Sequence, residues 1–105
     1  MSDALSTYIA NCKAPKAVAK VKEIVKYILL GFRKEYSSSH LANQLNKIGV
    51  YTLMGKRWTA NSVQIQALKM CRFDNDSSLA WGFAQAMKSG EATQADLDLL
   101  LARTR

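Results

Sequence analysis

Apolar residues recur along the chain at steps of three and four. Val18, Val21, Val25, Ile28, Leu29 and Phe32 do so after Pro15, with Lys16, Lys20, Glu23 and Lys34 on the opposite face. This spacing predicts an amphipathic helix of about 17 residues beginning near Pro15. Gly31 and the run Ser37-Ser38-Ser39 predict its stop. One of those serines caps a second helix from about His40 to Ile48, with Leu41, Leu45 and Ile48 on its apolar side. Gly49 suits the left-handed position after a helix end. Val50 to Trp58 is β-prone with Gly55 inside it, which predicts a long loop or a small hairpin. Thr59 predicts the N-cap of a third helix from Ala60 to about Cys71. Asp76 or Ser77 starts a fourth, with Leu79, Phe83 and Met87 at steps of four, and Ser89-Gly90 ends it. Thr93 caps a fifth, with Leu97, Leu100 and Leu101 apolar and Arg103 at the end, where a cation suits the helix dipole. The expected fold is all-α: about five short helices with a helix-turn-helix-like unit over residues 38–71.

At 105 residues the chain is expected to form a single domain, and 49% hydrophobic residues allow a modest core. One Pro and five Gly argue against a disordered or fibrous protein. Cys12 and Cys71 stand far apart and His40 is the only histidine, so a zinc site lacks ligands. Residues 1–12 show neither a basic start nor an apolar run, which predicts no export signal, reduced thiols and a cytoplasmic protein. The longest apolar run, Tyr27 to Leu30, is far below the roughly 20 residues of a membrane span, and no membrane partner is expected. Ser37 to Ser39 beside His40 have no orienting acid, and capping is the simpler role. No constellation for catalysis, metal or cofactor stands out, and the chain is expected not to be an enzyme.

Charge sharpens this picture. The net charge is +7, and it is uneven. Residues 13–72 carry twelve basic residues against Glu23 and Glu35, a balance of +10. Residues 73–105 carry three basic and five acidic residues, a balance of −2. A basic body with a mildly acidic helical tail points to a polyanion, foremost nucleic acid.

Leu45-Asn46, Gly49-Val50, Thr52, Gly55-Lys56, Trp58-Thr59 and Ser62-Val63 stand in a fixed spacing. This segment resembles the recombinase DNA-binding domain of large serine recombinases, sharply over about 20 residues and loosely over residues 38–70. There a helix ending in Leu-Asn-x-x-Gly-Ile leads into Thr-x-x-Gly-x-x-Trp and then into a helix opening with Ser or Thr and Val. The family's catalytic domain, with its nucleophilic serine, has no counterpart in these residues, so the resemblance implies DNA binding and not strand cleavage. The family's two basic residues after the Val are replaced by Gln64 and Ile65. Each matched residue also has a physical reading: Gly49 ends a helix with positive φ, Gly55 turns the loop, Trp58 anchors the loop in the core, and Thr59 caps the third helix.

On the third helix, Ser62, Gln66 and Lys69 form a polar arc with Thr59 at its edge, while Asn61 and Gln64 lie nearer the apolar side. Gln and Asn suit adenine edges and Lys suits guanine, and recognition helices read bases with their N-terminal residues. Lys47, Lys56 and Arg57 fall where phosphates would run. The expected partner is double-stranded DNA, contacted by Lys47, Lys56, Arg57, Thr59, Asn61, Ser62, Gln64, Gln66 and Lys69. The expected role is a transcriptional regulator or recombination accessory factor of a phage or other mobile element. The alternative is a protein-interaction module, an inhibitor or adaptor on the same kind of fold. Trp81 and Leu99 fall off their helices' apolar stripes, so the tail over residues 76–103 either forms a homodimer surface or closes over the core.

Overall fold

A computed structural model describes residues 17–73 and 77–104. Pro15, Cys12 and Asp76, to which the sequence pattern assigns a helix start, a thiol and a cap, lie outside the described residues. Within them are five α-helices: α1 Val18–Arg33, α2 Ser38–Lys47, α3 Ala60–Met70, α4 Ser78–Ser89 and α5 Gln94–Arg103. No strand is present among the described residues, so the all-α expectation holds and the α2–α3 connection is a long loop. No helix among the described residues is long and apolar enough to cross a membrane.

α1 is the hub, packing against every other helix. Val21, Ile24, Val25, Ile28, Leu29 and Phe32 are all buried along it, which is the predicted stripe with Ile24 added and Val18 only half-buried. The helix ends at Arg33, between Gly31 and the serine run that the sequence marks. Gly31 instead lets α2 approach, because a Cβ there would stand 2.5 Å from Leu41 Cδ1. The stop is made by Glu35, at φ +58°. Its N–H donates to the Phe32 carbonyl at 3.0 Å and the Tyr36 N–H donates to the Gly31 carbonyl at 3.0 Å, the paired bonds of a Schellman end.

α2 begins two residues earlier than the pattern suggests, with Ser37 as N-cap accepting the His40 N–H at 3.1 Å. Its end repeats the Schellman pattern. Gly49 stands at φ +81°, its N–H donates to the Asn46 carbonyl, and the Val50 N–H donates to the Leu45 carbonyl at 2.9 Å. Val50 is thereby pulled into the core. α3 is capped by Thr59, α4 by Ser77 and α5 by Thr93.

The tail closes over the core. Leu79 to Ala84 are buried without a break, because α4 is packed by α1 on one side and α3 on another. Trp81 is only 8% exposed, and Leu99 is half-buried against the core. A stripe at steps of four describes a helix with one packed side; α4 has two, so Trp81 is not an exposed anchor. α5 is tied to the end of α1 by Arg33, whose Nε donates to Asp96 Oδ1 at 2.9 Å and Nη2 to Asp96 Oδ2 at 2.8 Å. Arg33 Nη2 also donates to the Glu91 carbonyl at 2.9 Å. The Arg33 guanidinium is the main cause that holds the Asp96 carboxyl below its ordinary value, against burial, with the Thr93 N–H adding to it. At the other end of α5, Arg103 Nη2 donates to the Tyr36 carbonyl at 3.0 Å. Cys71 sits buried beside Thr104, and burial pushes its thiol up.

Candidate nucleic-acid interface

The end of α2 and the start of α3 are locked together through one side chain. Asn46 Oδ1 accepts the Trp58 N–H at 2.7 Å, and Asn46 Nδ2 donates to the Trp58 carbonyl at 2.8 Å. The amide thus pairs with a backbone residue as a strand neighbour would. Trp58 is 3% exposed, and its indole N–H has no partner among the described residues. The next residue, Thr59, forms a reciprocal cap: it accepts the Ser62 N–H at 3.1 Å while Ser62 Oγ accepts the Thr59 N–H at 2.8 Å. A clamped Trp58 followed directly by the cap fixes where α3 starts.

Ahead of this anchor the loop closes on itself. The Thr52 N–H donates to the Lys56 carbonyl at 2.8 Å, the Gly55 N–H to the Thr52 carbonyl at 2.9 Å, and the Lys56 N–H to Thr52 Oγ1 at 3.0 Å. This tight turn stands beside α3 across a groove of about 840 Å³. Lys56, Arg57, Thr59, Ser62, Gln66 and Lys69 all line that groove, so it gathers six of the nine residues expected at the interface. Lys56, Arg57 and Lys69 are exposed and form no ion pair among the described residues.

The other three lie elsewhere. Asn61 is exposed on the outermost line of α3, with Ile65 and Lys69. Gln64 is half-buried and turned towards α2, where its Nε2 donates to Ser38 Oγ. Lys47 is exposed at the end of α2, outside the groove. The buried face of α3 is Val63, Ala67 and Met70; Ile65, at 43% exposed, and half-buried Leu68 face away from it.

Two kinds of residue escaped the sequence pattern. Ser77 and Ser78 line the same groove from the start of α4, which only the chain's return past α3 brings there, and Arg72 lines it just beyond the end of α3. Arg72 stands three residues after Lys69, one turn further along the α3 direction, and that spacing was a usable signal. Asn46 was visible as a motif position, but its role needs the geometry of Trp58. Among the described residues no group of three His, Cys, Asp or Glu side chains comes together.

Comparison with known proteins returns no significant match among curated proteins and none among solved structures. A family model described as Recombinase matches residues 15–70. The match takes in α1 as well as α2, the loop and α3, and so reaches further back than the motif over residues 38–70. It ends at the last residue of α3 and covers more than half of the chain. The chain belongs to the Recombinase family.

Proposed function

We propose that this protein is a small, non-enzymatic, double-stranded DNA-binding protein of the cytoplasm. It serves as a transcriptional regulator or recombination accessory factor of a phage or other mobile element. The observation that carries this reading is the groove between the closed turn and α3. There Lys56, Arg57 and Lys69 stand without ion-pair partners among the described residues, beside the polar Thr59, Ser62 and Gln66. α3 enters the major groove with its N-terminal half. Asn61 and Gln66 face base edges, and the three cations neutralise phosphates. Gln64, engaged with Ser38, orients α2 against α3 in this reading and is not a first choice for base contact.

A second reading, a protein-interaction module, is favoured by the exposed apolar side chains Leu53, Met54 and Ile65 near the same groove. One experiment separates the two: selection of bound sequences from random duplex DNA at about 50 and 200 mM salt. Three phosphate contacts predict an affinity loss of about 40-fold across that interval, from a slope near −0.9 per contact. An enriched motif that survives the higher salt is the expected result. Binding that enriches nothing and vanishes with salt overturns the DNA reading and leaves the protein-partner reading.

A further inference from the structure

Met54 is the most exposed large apolar side chain of the described surface, at 82%, and it stands at the tip of the turn closed by Thr52 and Lys56. Leu53 beside it is 42% exposed. Single exposed apolar residues are ordinary. Here two adjacent ones occupy the tip of a hydrogen-bonded turn, with Gly55 at φ +77° making the reversal. The turn is anchored four residues on by the buried, clamped Trp58. It is therefore a stiff apolar point and not a loose loop. Lys56 and Arg57 follow it directly and are exposed. Two side chains present far less surface than the ~800 Å² per partner of a stable protein interface. A small apolar tip with adjoining cations fits instead the opening of a base step beside phosphates.

The groove supplies the register. Two of its walls are the turn, with Leu53, Met54, Lys56 and Arg57, and α3, with Ser62, Gln66 and Lys69; Ser77 and Ser78 at the start of α4 line its third side. A duplex seated with α3 in the major groove runs one sugar–phosphate strand along the groove between these walls. The turn then comes down on the far side of that strand, in the minor groove.

Resting on the DNA reading, we infer that the turn is a minor-groove wedge: Met54, supported by Leu53, inserts at a base step and kinks the duplex while the groove holds one phosphate strand. Sequence choice then includes a step that unstacks easily, at a position no hydrogen bond reads.

The test is a duplex carrying the selected sequence, labelled at both ends for energy transfer and with 2-aminopurine placed in turn at each step outside the α3 contacts. Wild-type protein is expected to bend it by about 20–90° and to raise 2-aminopurine fluorescence at one step. Met54→Ala, on a side chain that is mostly exposed in the free protein, is expected to keep binding within about tenfold while both signals return to those of free duplex. Met54→Leu restores both. Met54→Lys adds a cation but leaves the duplex straight, which separates insertion from charge. Wild-type protein that binds tightly without either signal, or Met54→Ala that bends as wild type does, overturns the wedge and leaves DNA binding standing. No binding to any duplex overturns the DNA reading itself.

Discussion

Asn46→Ala tests the joint on which α3 and the turn both depend. The amide makes two bonds to one buried residue, at 2.7 and 2.8 Å. Truncation leaves the Trp58 N–H and carbonyl without partners where water has poor access, at about 1–3 kcal/mol for each stranded group. Part is recovered by water at the groove side, so a loss of about 2–4 kcal/mol is expected, a large share of the 5–15 kcal/mol that usually holds a domain together. For a chain of this size that is a fall in Tm of about 10–25 °C. In urea the midpoint falls by about 1–3 M with an unchanged slope. Asn46→Asp is the finer probe. It keeps an acceptor for the Trp58 N–H but sets a carboxylate against the Trp58 carbonyl. That raises the folded-state pKa of the new group above its unfolded value. Its stabilising form is the protonated one, so stability is expected to rise as pH falls through the carboxylate range and to drop at neutral pH. Far-ultraviolet circular dichroism against urea, at several pH values, reads both variants. A cost below about 0.5 kcal/mol for Asn46→Ala, or a pH-independent Asn46→Asp, would refute the clamp.

Asp96→Asn removes the charge that Arg33 and the α5 cap share. Arg33 is 40% exposed, so solvent screening limits the expected loss to about 1–2 kcal/mol at neutral pH. Because the folded carboxyl is held below its ordinary value, this stability is complete above about pH 4 and is lost as pH falls through the lowered value. Urea midpoints of wild type and variant should therefore converge on acidification; a gap that widens refutes the assignment. Gly82→Ala drives a Cβ to 2.7 Å from Val21 Cγ1 and 2.9 Å from Val25 Cγ2, two stiff β-branched side chains, and is expected to cost about 1–3 kcal/mol. Gly31→Ala drives a Cβ to 2.5 Å from Leu41 Cδ1 and 3.1 Å from its Cγ, on a side chain buried between α1 and α2, and is expected to cost about 1–3 kcal/mol in thermal melts despite about 1 kcal/mol of gained helix propensity; a variant as stable as wild type refutes the close approach. Lys69→Ala is expected to lower the salt slope of DNA binding by about 1 for all sequences alike, whereas Gln66→Ala shifts sequence preference by about 1–3 kcal/mol at one position; the same effect from both refutes their assigned roles.

The caps and stops were legible wherever a local rule decides them. Ser77, Thr93, Thr59 and Gly49 occupy the positions that their side chains or their freedom at positive φ predict. Legibility failed where a long-range contact decides. Gly31 has the composition of a helix stop, yet it is buried because Leu41 from the next helix needs its missing Cβ. The true stop, Glu35 at φ +58°, is a residue type with no special liking for that conformation. It is held there by the two backbone bonds around it and by Tyr36, which packs against the core. Trp81 is outside a single stripe but inside a two-sided packing. The interface was half legible for the same reason: Lys56 to Lys69 are close in sequence and meet in one groove, whereas Ser77 and Ser78 reach it only through the fold.

The division into a basic body and an acidic tail also changes meaning once the chain is folded. Arg33 belongs to the body's cations and Asp96 to the tail's anions, yet they form one bidentate pair across 63 residues. Lys20 lies 3.9 Å from Glu23. The acidic tail thus neutralises one body cation, Arg33, at the α1–α5 joint, and the turn and α3 keep theirs. A count of charges along the sequence finds the sign of the partner but not the face. Lys22, Lys26, Lys34 and Lys47 are likewise exposed without an ion pair among the described residues, so pairing alone does not choose the face; the groove does, because it gathers Lys56, Arg57 and Lys69 beside polar side chains and the apolar tip.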